Sequence, residues 1–127
     1  MNRITILGTG HATVTRCYNT CFALQTDTTT LLVDAGGGNG ILQRLEQAGI
    51  AIKDLHHMYV THAHTDHILG TIWVIRMVLS AAGYEGQFHV YSHAKVLRVI
   101  GMICGETLSA KHRRLMGERV VMHEVGD

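Results

Sequence analysis

The sequence predicts an α/β fold, an α+β variant with its β-structure concentrated early. Three observations carry that expectation. Six short runs rich in β-branched and aromatic residues recur along the chain. From Ile41 onward, segments with apolar residues at helical spacing alternate with those runs. Glycine punctuates them, with 14 glycines and no proline in the 127 residues. Nothing in the sequence accounts functionally for the missing prolines.

Taken in order, residues 4–7 read as a first strand, which Gly8-Thr9-Gly10 turns into a polar loop reaching Asn19. Residues 20–26 and 29–35 read as a hairpin about Asp27 and Thr28. The breaker run Gly36-Gly37-Gly38-Asn39-Gly40 follows directly; it lacks the Gly-Lys-Ser/Thr of a phosphate loop and instead lets backbone approach closely. Ile41, Leu42, Leu45 and Ala48 recur at helical spacing, and Gly49 ends that helix. Residues 57–61 form the next strand, with His56 and His57 at its start expected on the surface. Residues 68–82 predict a helix whose only charge is Arg76. Its apolar residues run almost all round, so we expect burial on several sides with Trp73 in the core. A strand over 87–91, a helix over 94–104 and a last strand over 120–125 complete the order, without internal repeats. We expect His93 to be a polar residue at a helix start.

The most informative segment is Thr61-His62-Ala63-His64-Thr65-Asp66-His67. Imidazole nitrogen and carboxylate oxygen are the ligands that Zn²⁺ takes, and three histidines in six positions far exceed chance. His62 and His64 are two apart, so they diverge on a helix and converge on an extended or turning backbone. Asp66 and His67 are adjacent and share a site only where the backbone turns. We therefore expect a loop leaving a strand and entering a helix, holding one pair of ligands per metal. Asp66 capping a helix that begins near Ile68 is the plainer alternative, and it leaves the three histidines unexplained.

The pattern His-x-His-x-Asp-His resembles the signature of the metallo-β-lactamase fold hydrolases. Ile4-Thr5-Ile6-Leu7-Gly8-Thr9-Gly10 is similar to the opening of their ribonuclease Z-like branch. Thr29-Thr30-Leu31-Leu32-Val33-Asp34-Ala35-Gly36 resembles the strand whose Asp-x-Gly lies near the metals in that family. The resemblance implies half of an αβ/βα sandwich, a mixed sheet with helices on one face. It implies His62 and His64 on a first metal and Asp66 and His67 on a second, zinc most naturally and manganese as an alternative. Asp66 would orient and deprotonate the attacking water, and Asp34 would orient a ligand from outside the metal shell. The implied activity is hydrolysis of a phosphodiester, in RNA or in a smaller cyclic or linear molecule. Lactams, thioesters and other esters are the substrates of other branches.

The family also uses further histidines and a bridging aspartate downstream, which His89, His93, His112 and His123 do not match in context. Residues 1–127 are therefore expected to be a single half-domain that stops before those ligands. An inactive half-domain, or a structural metal-binding protein, is the competing reading. A half-sandwich exposes the inner face of its sheet, so we expect a homo-oligomer formed through that face.

Composition narrows the partners. The net charge is +1, with ten histidines, which is no footprint of a dedicated nucleic-acid binder. Lys111, Arg113 and Arg114 read as a solvated helix face. No apolar stretch reaches the ~18 residues of a membrane span, and the first residues carry no secretory pattern. Cys17, Cys21 and Cys104 form no paired metal spacing, so we expect free thiols in a reducing cytoplasm.

Overall fold

The computed structural model describes residues 2–11, 13 and 17–126, apart from the side chains of Thr65 and Asp66. The described residues form one mixed sheet of six strands, laid out in sequence order. These are β1 (Arg3–Gly8), β2 (Cys21–Gln25), β3 (Thr30–Val33), β4 (His57–Tyr59), β5 (Phe88–Ser92) and β6 (Val120–Glu124). β1, β2 and β3 pair antiparallel, and β3 to β6 pair parallel. Each parallel step requires a crossover, and helices supply it. α1 (Gly40–Gln47) links β3 to β4, α2 (Thr65–Ser80) links β4 to β5, and α3 (Ala94–Thr107) with α4 (Ala110–Arg114) links β5 to β6.

Alternation along the strands sorts side chains onto two faces. Ala23, Leu32, Met58 and Val90 stand in one register row and are fully buried. They share the core with Ile41 and Leu45 of α1, Val74, Ile75 and Val78 of α2, and Val96 and Ile100 of α3. All three long helices therefore cover one face. The opposite face consists of two register rows, Ile4–Leu24–Leu31–His57–His89–Val121 and Ile6–Phe22–Val33–Tyr59–Tyr91–His123. None of these twelve side chains is buried.

All six expected strands and the three long helices are present, with three corrections. α2 begins at Thr65, three residues before the expected start, because the histidine segment itself winds into the first turn. Trp73 is not core: Leu69, Trp73 and Met77, four apart, are each 37% exposed. The helices form one layer over the sheet, so α2 buries one stripe and leaves the other to solvent, where the Arg76 guanidinium sits 5.7 Å from the Trp73 ring centre. His57 opens β4, as expected, but is no surface residue: it lies half-buried on the uncovered face.

Candidate metal centre

The carboxyl ends of two adjacent parallel strands meet at one point, a common position for sites in α/β proteins. Asp34 follows β3, and Thr61 to His67 follow β4. The Asp34 N–H donates to the Tyr59 carbonyl at 2.9 Å, and the Val60 N–H to the Tyr91 carbonyl at 3.0 Å, so the ladders run on past the strand ends. Asp34 is buried and adopts φ of +58°, a left-handed conformation that aspartate tolerates better than most residues. That conformation turns its carboxylate back toward the next strand.

The carboxylate is fully used. Its Oδ1 accepts the Thr61 backbone N–H at 2.8 Å. Its Oδ2 accepts the Thr61 hydroxyl at 2.7 Å and faces His67 Nδ1 at 3.0 Å. An ionised carboxylate only accepts, so His67 carries its proton on Nδ1. The Thr61 hydroxyl has one proton and gives it to Asp34, so it accepts from His62 Nδ1 at 2.8 Å. His62 therefore also holds its proton on Nδ1. One carboxylate fixes the tautomers of two imidazoles and leaves the lone pair of each on Nε2.

The three rings adjoin. His62 lies 3.9 Å from His67 and 4.5 Å from His64, centre to centre, meeting His64 edge-on. His64 occupies the N-cap position of α2 with no side-chain capping bond, so capping is not its role. His67 lies in the first helical turn. The expected ligand loop thus covers residues 61–64, and the rest of the segment is helical. Asp66 falls in that first turn too, but its side chain lies outside the described residues. In donor type and tautomer the histidines fit zinc. Among the described residues, however, no three His, Cys, Asp or Glu groups are disposed to hold an ion.

The loop after Asp34 is clamped from both sides. The Tyr18 hydroxyl donates to the Ala35 carbonyl at 2.6 Å and lies 2.9 Å from that of Gly38. Burial pushes its pKa up to about 12, so it remains a donor. On the other side Gly70 of α2 donates its N–H to the Gly36 carbonyl at 2.8 Å, and a β-carbon there would stand 1.9 Å from the Ala35 oxygen. That close approach fixes α2, and with it His67, against the Asp34 loop. Tyr18 and Thr61 were not legible as site residues. Thr61 had one signal, its place directly before the histidine pattern, and Tyr18 had none.

Other histidines, and Arg113, lie elsewhere. His11 is exposed, with Nδ1 3.5 Å from the Thr13 hydroxyl. His93 caps α3 by position, as expected. His123 sits on the uncovered sheet face, where its Nε2 lies 2.8 Å from His89 Nδ1. Arg113 is exposed and donates to the Leu108 carbonyl at 2.8 Å.

Comparison with known proteins matches the family model described as anti-Pycsar protein Apyc1 to residues 2–108. The chain belongs to the anti-Pycsar Apyc1 family. Curated relatives of this Apyc1-family chain include ribonuclease Z of Streptomyces avermitilis, 35% identical over 79 residues, which cover 61% of this chain and 26% of that protein. Metallo-beta-lactamase domain-containing protein 1 of Xenopus laevis is 31% identical over 71 residues, or 54% of this chain and 23% of the relative.

Human tRNase Z, short form, superposes with a TM-score of 0.75 at 19% identity, over 98% of this chain and 45% of that one. A diphosphatase of the PhnP family gives 0.71 at 19% identity, over 99% and 51%. Zn(2+)-bound PqqB from Methylobacterium extorquens gives 0.65 at 14% identity, over 99% and 50%. The fold is that of the metallo-β-lactamases, and the mixed sheet matches half of it. The Apyc1-family chain spans about a quarter of the curated relatives and half of the solved structures.

Proposed function

We propose that this chain carries half of the centre of a metal-dependent phosphodiesterase that opens small cyclic nucleotides. The observation that carries the reading is the Asp34–Thr61 relay, which fixes the protons of His62 and His67 on Nδ1 and so gives Nε2 of each the lone pair a metal needs. Membership of the Apyc1 family supports a cyclic nucleotide as substrate. A net charge of +1 fits a small substrate better than tRNA, whose binders carry strongly basic surfaces.

In this reading His62 and His64 hold one zinc ion, and His67 with Asp66 a second. Zinc, when bound, supplies positive charge that stabilises the developing oxyanions and lowers the pKa of water. Asp66 orients the attacking water and takes its proton. A P–O bond forms to the water oxygen, the ring P–O bond breaks, and the released sugar oxygen takes up a proton. Asp34 and Thr61 keep the imidazoles in their ligating tautomers throughout.

The test is turnover of 3′,5′-cyclic nucleotides, a precursor tRNA and bis-p-nitrophenyl phosphate with added Zn²⁺ or Mn²⁺. Ring opening that vanishes in His64→Ala supports the proposal. Cleavage of the tRNA alone would move the assignment to a ribonuclease Z-like activity. Bound metal without turnover would mean an incomplete centre.

A further inference from the structure

Three glycines in a row, Gly36 to Gly38, follow the carboxylate that orients the imidazoles, and such a backbone wanders unless something fixes it. Asp34 itself keeps a left-handed φ of +58°, which a residue other than glycine holds only where its surroundings over-determine it. Its own N–H is tied to the Tyr59 carbonyl of β4. Beyond Asp34 the constraint comes from Tyr18 and Asn19, which precede β2. The Tyr18 hydroxyl reaches the Ala35 and Gly38 carbonyls, and Asn19 Oδ1 accepts the Gly37 N–H at 3.0 Å. Of the four residues after Asp34, all but Gly36 are thus bonded to one dipeptide, and Gly36 is held by Gly70.

The dipeptide is itself anchored. The Gly10 N–H donates to the Tyr18 carbonyl at 2.7 Å and the Thr20 N–H to the Gly10 carbonyl at 2.8 Å, so backbone bonds flank Asn19. Asn19 Nδ2 donates to the His11 carbonyl at 3.1 Å, and its amide therefore bridges the β1–β2 connection and the glycine loop with both ends used. The Tyr18 ring lies where β-carbons on Gly36 and Gly40 would stand, so those two glycines make room for it. None of these hydrogen bonds adds apolar burial; what they determine is the course of the backbone from Asp34 to Gly40. That course sets the carboxylate, whose Oδ2 stands 2.7 Å from the Thr61 hydroxyl and 3.0 Å from His67 Nδ1. A supporting shell has to hold such contacts to within about 0.5 Å.

We propose that Tyr18 and Asn19 are positioning residues of the metal centre, acting through the glycine loop on Asp34 and through Asp34 on the proton positions of His62 and His67. Their role rests on reading His62 and His67 as ligands, whichever substrate the centre takes. With the loop released, Asp34 leaves the left-handed region and its Oδ2 draws away from Thr61 and His67. Both imidazoles then divide their proton between the two ring nitrogens, and a metal meets an N–H in part of the molecules.

The test is the tautomer of each ring, read from two-bond proton–nitrogen correlations on the metal-free chain at pH 8, with zinc calorimetry beside it. The wild type should hold the proton on Nδ1 in His62 and His67. Tyr18→Phe keeps the ring against Gly36 and Gly40 and loses only the hydroxyl, whereas Asn19→Ala loses the bridging amide. Each should give a folded protein with mixed tautomers and zinc binding weakened about tenfold. Asn19→Asp keeps an acceptor for the Gly37 N–H and should keep the wild-type tautomers. Unchanged tautomers in both Tyr18→Phe and Asn19→Ala, with only the melting temperature lowered, would overturn the proposal and leave a purely structural clamp. So would a mixture already present in the wild type, or one as large in Asn19→Asp as in Asn19→Ala. Tautomers that respond as expected in a chain that takes up no zinc would uphold the positioning and refute the ligand reading instead.

Discussion

Replacing Asp34 by asparagine tests the relay with almost no change of shape. Asparagine accepts the left-handed φ of +58° as readily as aspartate, so the backbone carries no new strain. The Thr61 backbone N–H can only donate, so the amide oxygen must stay at the Oδ1 position. The amide nitrogen then replaces Oδ2, facing the Thr61 hydroxyl and His67 Nδ1. Two donors cannot face each other, so His67 must move its proton to Nε2. The Thr61 hydroxyl, now accepting, is released to donate to His62 Nδ1, which moves that proton as well. Both imidazoles would present N–H where a metal needs a lone pair.

Exchanging charge-assisted bonds for neutral ones removes about 1 kcal/mol or slightly more per bond, and about 2 kcal/mol in all since the bonds share one group. For a chain of this size that lowers Tm by about 6–10 °C. Zinc affinity should fall by about 10- to 100-fold. Urea unfolding and zinc calorimetry on the wild type, Asp34→Asn, His67→Ala and the double variant give the coupling directly. Zinc affinity unchanged within twofold in Asp34→Asn, or strict additivity of the two substitutions, would refute the tautomer argument.

Three further outcomes follow from the same geometry. Gly70→Ala drives a methyl group into the Ala35 and Gly36 carbonyls, which are backbone and cannot swing aside; thermal unfolding should show a loss of about 3 kcal/mol or more, or no folded protein. Burial, with the charge of Asp34 beside it, pushes the pKa of the Cys21 thiol up to about 12, and burial pushes that of Cys104 up to about 11, whereas Cys17 is exposed. A disulfide reagent at pH 8 should therefore modify one thiol per chain quickly and all three only in denaturant. Burial lowers the pKa of His57 and His89; charge on His89, His56 and His123 lowers that of His57 further, and charge on His123 and His56 that of His89. β3 presents only the uncharged Leu31 beside them, and β4 and β5 add Tyr59 and Tyr91. Below the unfolded value of about 6.5 the unfolded chain binds more protons than the native one, so stability should be full above that pH and decline below it. Urea midpoints at pH 7.5 and 5.5 check the sign, and His57→Gln should flatten the slope.

Most of the fold was legible because local signals agreed with it. The strands announced themselves by β-branched runs, and the hairpin at Asp27–Thr28 by its polar turn. Two errors share a cause. The start of α2 and the exposure of Trp73 depend on what packs where, and an all-apolar helix reads the same whether one side or every side is covered. At the site, the convergence of His62, His64 and His67 was readable from their spacing alone. The placement of Asp34 beside His67 was anticipated through family likeness, but the route through Thr61 to His62 was not. It depends on a hydrogen bond between Asp34 and Thr61, 27 positions apart, and on one between the neighbours Thr61 and His62. Tyr18 was invisible because its function is to hold backbone carbonyls, which leave no mark in sequence.

The sheet changes from antiparallel to parallel at β3, and Asp34 stands directly after that strand. Hairpin pairing of β1 to β3 is local and fast, whereas β3 meets β4 only after α1 has been crossed and a longer loop closed. The carboxylate is therefore in place early and waits for its imidazoles. Until that first non-local pairing forms, the histidines are ordinary solvated side chains. The Asp34–Thr61–His62 arrangement is thus completed during folding, at one identifiable strand junction.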